Sequence, residues 1–101
     1  MISIEALYQQ SASSRELVLP LDLAAHAIAA LEVAGTPATG WEGWLRYADG
    51  RLGHSGRHQG TAGGSWSRAS LERTMLEAQA AHDSNPEVPA SALLFCIAHG
   101  A

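Results

Sequence analysis

The first half of the chain is predicted to form a strand followed by a helix. Residues 15–21 alternate apolar and polar positions, as in a strand with one buried face, although Pro20 cannot donate a hydrogen bond to a neighbouring strand. Asp22 is placed to cap a helix over residues 23–34, in which apolar side chains recur at helical spacing. Gly35 follows at the position where a left-handed residue ends many helices.

Residues 41–58 are predicted to form a β-hairpin around Asp49-Gly50. This dipeptide is typical of a two-residue primed turn, because glycine adopts positive φ without a steric clash and aspartate tolerates it. The register of such a turn puts two sets of side chains on opposite faces of the hairpin. The predicted core face carries Trp41, Leu45, Tyr47 and Leu52. The other face carries Trp44, Arg46, Arg51 and Arg57.

The second half is predicted to form a helix followed by a strand, after a glycine-rich loop. Ser65 or Ser67 is placed to cap the helix, which runs to about His82 and ends before Asn85-Pro86. Its inner face is predicted to carry Leu71, Met75, Ala78 and His82. Residues 92–98 form a continuous apolar run of strand length, which favours burial on both faces, or of one face against helices and the other against a partner.

The order strand, helix, strand, strand, helix, strand predicts an α+β fold of the split βαβ, or ferredoxin-like, type: an antiparallel sheet with two helices on one face. The first and third strands are central in that fold, but here the last strand is the most apolar and the first contains Pro20. Either the strand order differs, or the edge made by the last strand is covered by residues 1–10 or by a second molecule. The 101 residues are predicted to form a single domain. Residues 1–14 fit either a helix or a strand and are a candidate for a loosely attached N-terminal segment.

The balance of charges favours a protein partner over a nucleic-acid duplex. The net charge is −4, all six basic residues are arginines, and most of them fall in residues 41–75, whereas acidic side chains dominate the remainder. A duplex-binding domain is expected to carry a clear basic surface instead. Cys96 is the only cysteine, so no internal disulfide forms and a reducing compartment, the bacterial cytoplasm, is expected. We expect no signal peptide and no membrane helix.

The chain contains histidines and a cysteine, which can act in catalysis or bind metals, but their spacing does not bring them together in one site. His54 and His58 are four residues apart, which in a strand separates them by roughly 13 Å, too far for one metal ion. Cys96 lies in an apolar run, where a thiol is inert. Gly60–Ser65 lacks the lysine of a phosphate-binding loop. We therefore expect no catalytic residue, no cofactor and no metal site, in a protein that is not an enzyme.

The face of the sheet that the two helices leave uncovered is the predicted binding surface. Tryptophan and arginine are among the residue types most enriched where protein partners bind. The predicted partner-binding residues are Trp44, Arg46, Arg51, Arg57 and Glu42. Two alternatives stay open: Trp44 packs under the N-terminal segment, or Trp44 and the arginines form a platform for single-stranded RNA.

The stretch GWEGWLRYADG, residues 40–50, is the most distinctive part of the sequence and contains no catalytic constellation. In size and in this lack of site chemistry, the chain resembles the small anti-CRISPR proteins encoded by phages and mobile elements. The resemblance, which is one of general character, implies a non-enzymatic inhibitor that binds a Cas subunit or effector complex. Such an inhibitor, a monomer or homodimer, would block target-DNA recognition or nuclease recruitment. The alternatives are an immunity protein that neutralises a bacterial toxin and a small nucleic-acid-binding module.

Overall fold

The computed structural model describes residues 3–60 and 66–99, which contain three helices and four strands. In chain order these are α1 (Ile4–Gln10), β1 (Leu17–Leu19), α2 (Leu21–Val33), β2 (Ala38–Arg46), β3 (Leu52–His54), α3 (Arg68–Ser84) and β4 (Ala92–His99). The predicted α+β class is confirmed, as is the order of the four strands and the two longer helices; α1 is an additional element. Residues 61–65 of the predicted glycine-rich loop, which include the cap candidate Ser65, lie outside the described residues.

The four strands form one antiparallel sheet in the order β1-β4-β2-β3. β1 and β2 are both antiparallel to β4, so they run parallel to each other and α2 crosses over one intervening strand. β3 and β4 are likewise parallel to each other, and α3 connects them by crossing over the intervening strand β2. The predicted split βαβ crossovers are therefore present, but the centre of the sheet holds β4 and β2, not the first and third strands of the ferredoxin-like order. Apolar length explains the difference, since β4 has eight residues with buried positions on both faces, whereas β1 has three and is followed by Pro20.

The edges of the sheet follow from this strand order. β4 is paired on both sides and offers no edge to a second molecule, so the first of the two predicted alternatives, a different strand order, is the one observed. The outer edge of β1 is covered by the chain itself. The Val18 N–H donates to Ser11 Oγ at 2.8 Å, and the Val18 carbonyl accepts a hydrogen bond from the Ala12 N–H at 2.9 Å.

All three helices pack on one face of the sheet and share one hydrophobic core with it. The sheet contributes Leu17, Leu19, Trp41, Leu45, Leu93, Phe95 and Ile97 to that core. The predicted inner face of α3 is confirmed, because Leu71, Met75, Ala78 and His82 are all buried. The Trp41 indole N–H donates to Thr74 Oγ1 at 2.9 Å and so joins β2 to α3. α1, which Ser3 caps, buries Leu7 completely, so the N-terminal segment contains a packed helix.

The main difference from the predicted helix ends lies at the start of α2. α2 begins at Leu21 with Pro20 in the N-cap position, and Asp22 lies in its first turn instead of capping it. Gly35 follows α2 with a φ of 82°, as predicted. Ser67 caps α3 through a hydrogen bond from the Ser70 N–H to its Oγ at 3.1 Å. No helix within residues 3–60 and 66–99 is long and apolar enough to cross a bilayer.

The connection between β2 and β3 is not the predicted two-residue turn, and this reverses the faces of β3. The Gly50 N–H donates to the Tyr47 carbonyl at 2.9 Å, the Tyr47 N–H donates to the Arg51 carbonyl at 2.8 Å, and Gly50 has a φ of 91°. This is a three-residue loop in which a type I turn is followed by a glycine bulge. The longer loop pairs Arg46 with Leu52. Leu52 therefore lies on the same face as Arg46, and its predicted place in the core is wrong.

Candidate protein-binding face

The sheet face opposite the helices is the candidate binding surface, which we call the open face. Its residues are Val18, Glu42, Trp44, Arg46, Leu52, His54, Leu94 and Cys96. None of them belongs to the core that the helices cover. Glu42, Arg46, Leu52 and His54 are exposed, Trp44 and Cys96 are half-buried, and Val18 and Leu94 are buried. The open face thus surrounds a partly shielded apolar centre with charged and polar side chains.

Trp44 lies in the middle of the open face, against the imidazole of His54. The ring centroids are 4.8 Å apart and the ring planes are inclined by 53°. His54 Nδ1 is 2.9 Å from Glu42 Oε1, so this nitrogen donates to the carboxylate. The Trp44 indole N–H is buried and has no hydrogen-bond acceptor among the described residues. Because α1 packs on the opposite face through Leu7, Trp44 does not lie under the N-terminal helix.

Arg46 places a guanidinium on the open face. Its guanidinium makes no hydrogen bond or ion pair with any residue in the described ranges, 3–60 and 66–99. Its neighbours across the ladder are Leu52, which is 36% exposed, and Ala92. Arginine and tryptophan are among the residue types enriched where a few residues carry most of the binding energy of a protein interface.

Three of the five predicted partner-binding residues, Glu42, Trp44 and Arg46, lie together on the open face. Arg51 lies in the β2–β3 loop, where its Nε is 2.7 Å from Asp49 Oδ2. Arg57 lies beyond β3 and is described below.

Sequence analysis missed Leu52 and His54, which the structure adds to the open face because of the longer loop. The sequence did contain a signal for the longer loop. Glycine is favoured at the last position of a type I turn, and Gly50 occupies that position in the turn that begins at Tyr47. Partner binding by these residues stays a prediction.

After β3 the chain forms a loop over residues 55–58 that turns toward the helical side of the sheet. The Ser55 N–H donates to the Gly43 carbonyl at 2.9 Å, and the Gly43 N–H donates to the His58 carbonyl at 2.8 Å. A Cβ atom at Gly43 would overlap the carbonyl oxygen and Cβ of His58. The 55–58 loop therefore approaches β2 this closely only because residue 43 is glycine.

The carboxylate of Glu87 organises the 55–58 loop. It accepts hydrogen bonds from the Ser55 hydroxyl and from the N–H groups of Gly56 and Arg57, each at 2.9 Å. The two backbone hydrogen bonds lower the pKa of Glu87 below its ordinary value of 4.5, and the Ser55 hydroxyl and the Arg57 charge lower it further. Arg57 Nη1 donates to the Asn85 carbonyl at 2.6 Å. Arg57 is therefore placed away from the open face, contrary to the sequence prediction.

His54 and His58 lie on opposite sides of the sheet, because His54 pairs with Trp44 on the open face, whereas His58 packs where a Cβ of Gly43 would point, on the helical side near His82. Burial lowers the pKa of His58, and the neighbouring His82 and Arg57 lower it further while Glu87 opposes them. His82 is buried, and its Nε2 donates to the Ser91 carbonyl at 2.9 Å. No group of three or more potential metal ligands occurs in the part of the chain that the structure describes.

Cys96 lies on the open face between two carboxylates. Its thiol donates to Glu16 Oε2 at 3.2 Å, and Glu42 is its partner across the β2–β4 ladder. Burial, then the hydrogen bond and charge of Glu16, then the charge of Glu42, raise the pKa of Cys96 to about 12. The reactive thiolate is therefore scarce at neutral pH, in agreement with the inert thiol predicted from the sequence.

Comparisons of the chain with protein-family models, with curated protein sequences and with solved structures find no match. The fold and the open face place the chain in a structural class: a small α+β domain with one layer of helices and one sheet face that the helices leave uncovered.

Proposed function

We propose that the chain is a non-enzymatic inhibitor that binds a protein target through the open face. We further propose that the target is a Cas effector complex, whose recognition of DNA or recruitment of a nuclease the bound chain blocks. The observation that carries the binding proposal is the guanidinium of Arg46, which has no partner among the described residues and lies beside the exposed Leu52 and the half-buried Trp44. The choice of target rests on the resemblance to anti-CRISPR proteins in size and in lack of site chemistry.

The nucleophilic and basic side chains support binding over turnover. With a pKa of about 12, the Cys96 thiol supplies almost no thiolate near neutral pH. His54 and His58 lie on opposite sides of the sheet, so their imidazoles cannot act on one substrate. The charged residues of the open face are thus better suited to recognition than to chemistry.

The net charge also supports a target that itself binds nucleic acid. A chain with a net charge of −4 is attracted to the basic surfaces that such proteins present to phosphate backbones. Electrostatic attraction of this kind raises the association rate and favours partners of opposite charge. The acidic Glu16 and Glu42 lie at or beside the open face, where this attraction would act directly.

The test measures binding of purified Cas effector complexes to the immobilised chain by surface plasmon resonance. We expect Arg46→Ala to weaken binding by about tenfold, or about 1.4 kcal/mol. Arg73→Ala is the matched control, because Arg73 is exposed on α3, on the other side of the sheet, and should leave binding unchanged.

Three outcomes contradict parts of the proposal. Equal losses with Arg46→Ala and Arg73→Ala would mean that the open face is not the contact surface. Binding of a bacterial toxin and of no effector would favour an immunity protein. Binding of single-stranded RNA that weakens steeply with salt would favour a nucleic-acid-binding module.

A further inference from the structure

A groove of ≈ 380 Å³ lies at the β1 end of the open face and extends around the edge of the sheet. Its polar walls carry Tyr8, Arg15, Glu16, Glu42, His54 and His99. Cys96, Ile97 and Ala98 of β4 also line it. The groove is separate from Arg46 and Leu52, which lie at the other end of the open face.

Two carboxylates give this groove its electrostatic character. Glu16 Oε2 accepts the hydrogen bond from the Cys96 thiol, and Glu42 Oε1 accepts the one from His54. Each carboxylate has a second oxygen, for which no hydrogen bond is found within the described residues. The raised pKa of Cys96, to which both carboxylates contribute, is consistent with a negative potential between them.

We infer that this groove receives the side chain of an arginine from the protein target. The planar guanidinium carries several N–H donors and matches carboxylate oxygens in geometry as well as charge. Its methylene stem would lie along the exposed Ala98, as the stems of long basic side chains do on apolar surface. The inference rests on the proposed function, since it names the chemistry of the partner that the open face binds.

Arg15 makes the inference more specific. It lines the same groove, and its guanidinium forms no ion pair with any residue of the described ranges. Its positive charge lies near the two carboxylates and opposes the entry of another cation. Removing this charge should therefore strengthen binding of an arginine side chain, whereas removing either carboxylate should weaken it.

The probes for the test are N-acetyl-arginine amide and its neutral isostere, N-acetyl-citrulline amide, titrated into the full chain and followed by amide NMR shifts. For a ligand of this size we expect the arginine probe to bind with a Kd of about 1–10 mM. The shifts should be largest at Cys96, Ile97 and the neighbouring residues of the groove. We expect the citrulline probe to bind at least about tenfold more weakly, because it lacks the charge.

Glu16→Gln and Glu42→Gln should each reduce binding of the arginine probe severalfold, and Arg15→Gln should increase it. Glu77→Gln is the matched control, because it removes the same charge from an exposed position of α3, on the other side of the sheet. Equal binding of the two probes would overturn the inference, and so would equal losses with Glu16→Gln and Glu77→Gln.

A second measurement separates this inference from the proposed function. If the arginine probe binds as expected but no effector complex is captured, the proposed target is wrong and the groove assignment stands. If an effector complex binds the native chain and the Glu16→Gln, Glu42→Gln double variant equally well, the groove assignment is wrong and the proposed function stands.

Discussion

The open face and the 55–58 loop are consecutive parts of the same hairpin, yet their arginines differ in whether the fold supplies them with a partner. In the loop, the Glu87 carboxylate accepts three hydrogen bonds and Arg57 donates to the Asn85 carbonyl. On the open face, Arg46 has no partner in the described part of the chain. Of these two arginines, Arg46 is thus the better candidate for binding, and the sequence pattern alone does not distinguish it from Arg57.

The largest expected effect on stability comes from adding a methyl group to β2 at the point where the 55–58 loop packs against it. Gly43→Ala should lower the free energy of unfolding by about 3 kcal/mol or more, because the new methyl group overlaps the His58 carbonyl within a well-packed ladder. Gly56→Ala is the control, since its Cβ would lie 3.4 Å from Glu87 Oε2, and it should cost less than about 1 kcal/mol. Urea denaturation measures both, and equal losses would show that close packing at residue 43 does not hold the loop.

Removing the carboxylate that holds the loop should have the next largest effect. Glu87→Ala should destabilise the fold by about 1–2 kcal/mol, because it removes three hydrogen bonds to a carboxylate, one of them from the buried Ser55, although water can replace the acceptor at the exposed Gly56 and Arg57 N–H groups. Glu77→Ala, at an exposed site on α3, should change stability by less than about 0.5 kcal/mol. If the two variants unfold at the same urea concentration, the loop does not depend on Glu87.

The open face should tolerate substitutions that the loop does not. The double variant Trp44→Ala, Arg46→Ala should keep the native circular dichroism spectrum and lose only about 1–2 kcal/mol, because neither side chain belongs to the core. Target binding should weaken at the same time. Unfolding of this variant would show that Trp44 is structural and would remove the basis for the proposed binding surface.

Lowering the pH should produce the smallest of the expected effects on stability, and it should act on the 55–58 loop. Glu87 has a lowered pKa in the folded chain, so its stabilising contribution is present above its ordinary value of 4.5 and is lost as the pH falls through the folded value. The lowered pKa of His58 acts in the same direction, below its ordinary value of 6.5. Native protein should therefore lose more stability between pH 6 and pH 3 than Glu87→Gln does, as measured by thermal unfolding. Equal losses would contradict the role of Glu87.

Much of the fold was predictable from local patterns. Helical spacing from Leu71 to His82 identified α3 and its buried face, and the apolar run of β4 indicated a strand buried on both sides. The same run left two alternatives open, a different strand order or a covered edge, and the structure shows the different order with β4 central. These features depend on neighbouring residues, which a single sequence displays directly.

The features that sequence analysis missed depend on contacts between distant residues or on one turn. The hydrogen bonds of Glu87 join it to residues about 30 positions earlier, and no local signal marks such a pairing. One extra residue in the β2–β3 loop moved Leu52 from the predicted core face to the open face, because side chains alternate along a strand. α1 is only seven residues long, so its stability depends on burying Leu7 against the rest of the chain.

The hydrogen bonds that Ser11 and Ala12 make to Val18 have a consequence for how copies of the chain behave when crowded. An exposed strand edge is a template for polymerisation, in which backbone groups recruit further strands and build fibrils. Here the β1 side of the sheet is already occupied by the chain's own backbone and a serine hydroxyl. Concentrated solutions of the folded chain should therefore resist amyloid-type growth from that side.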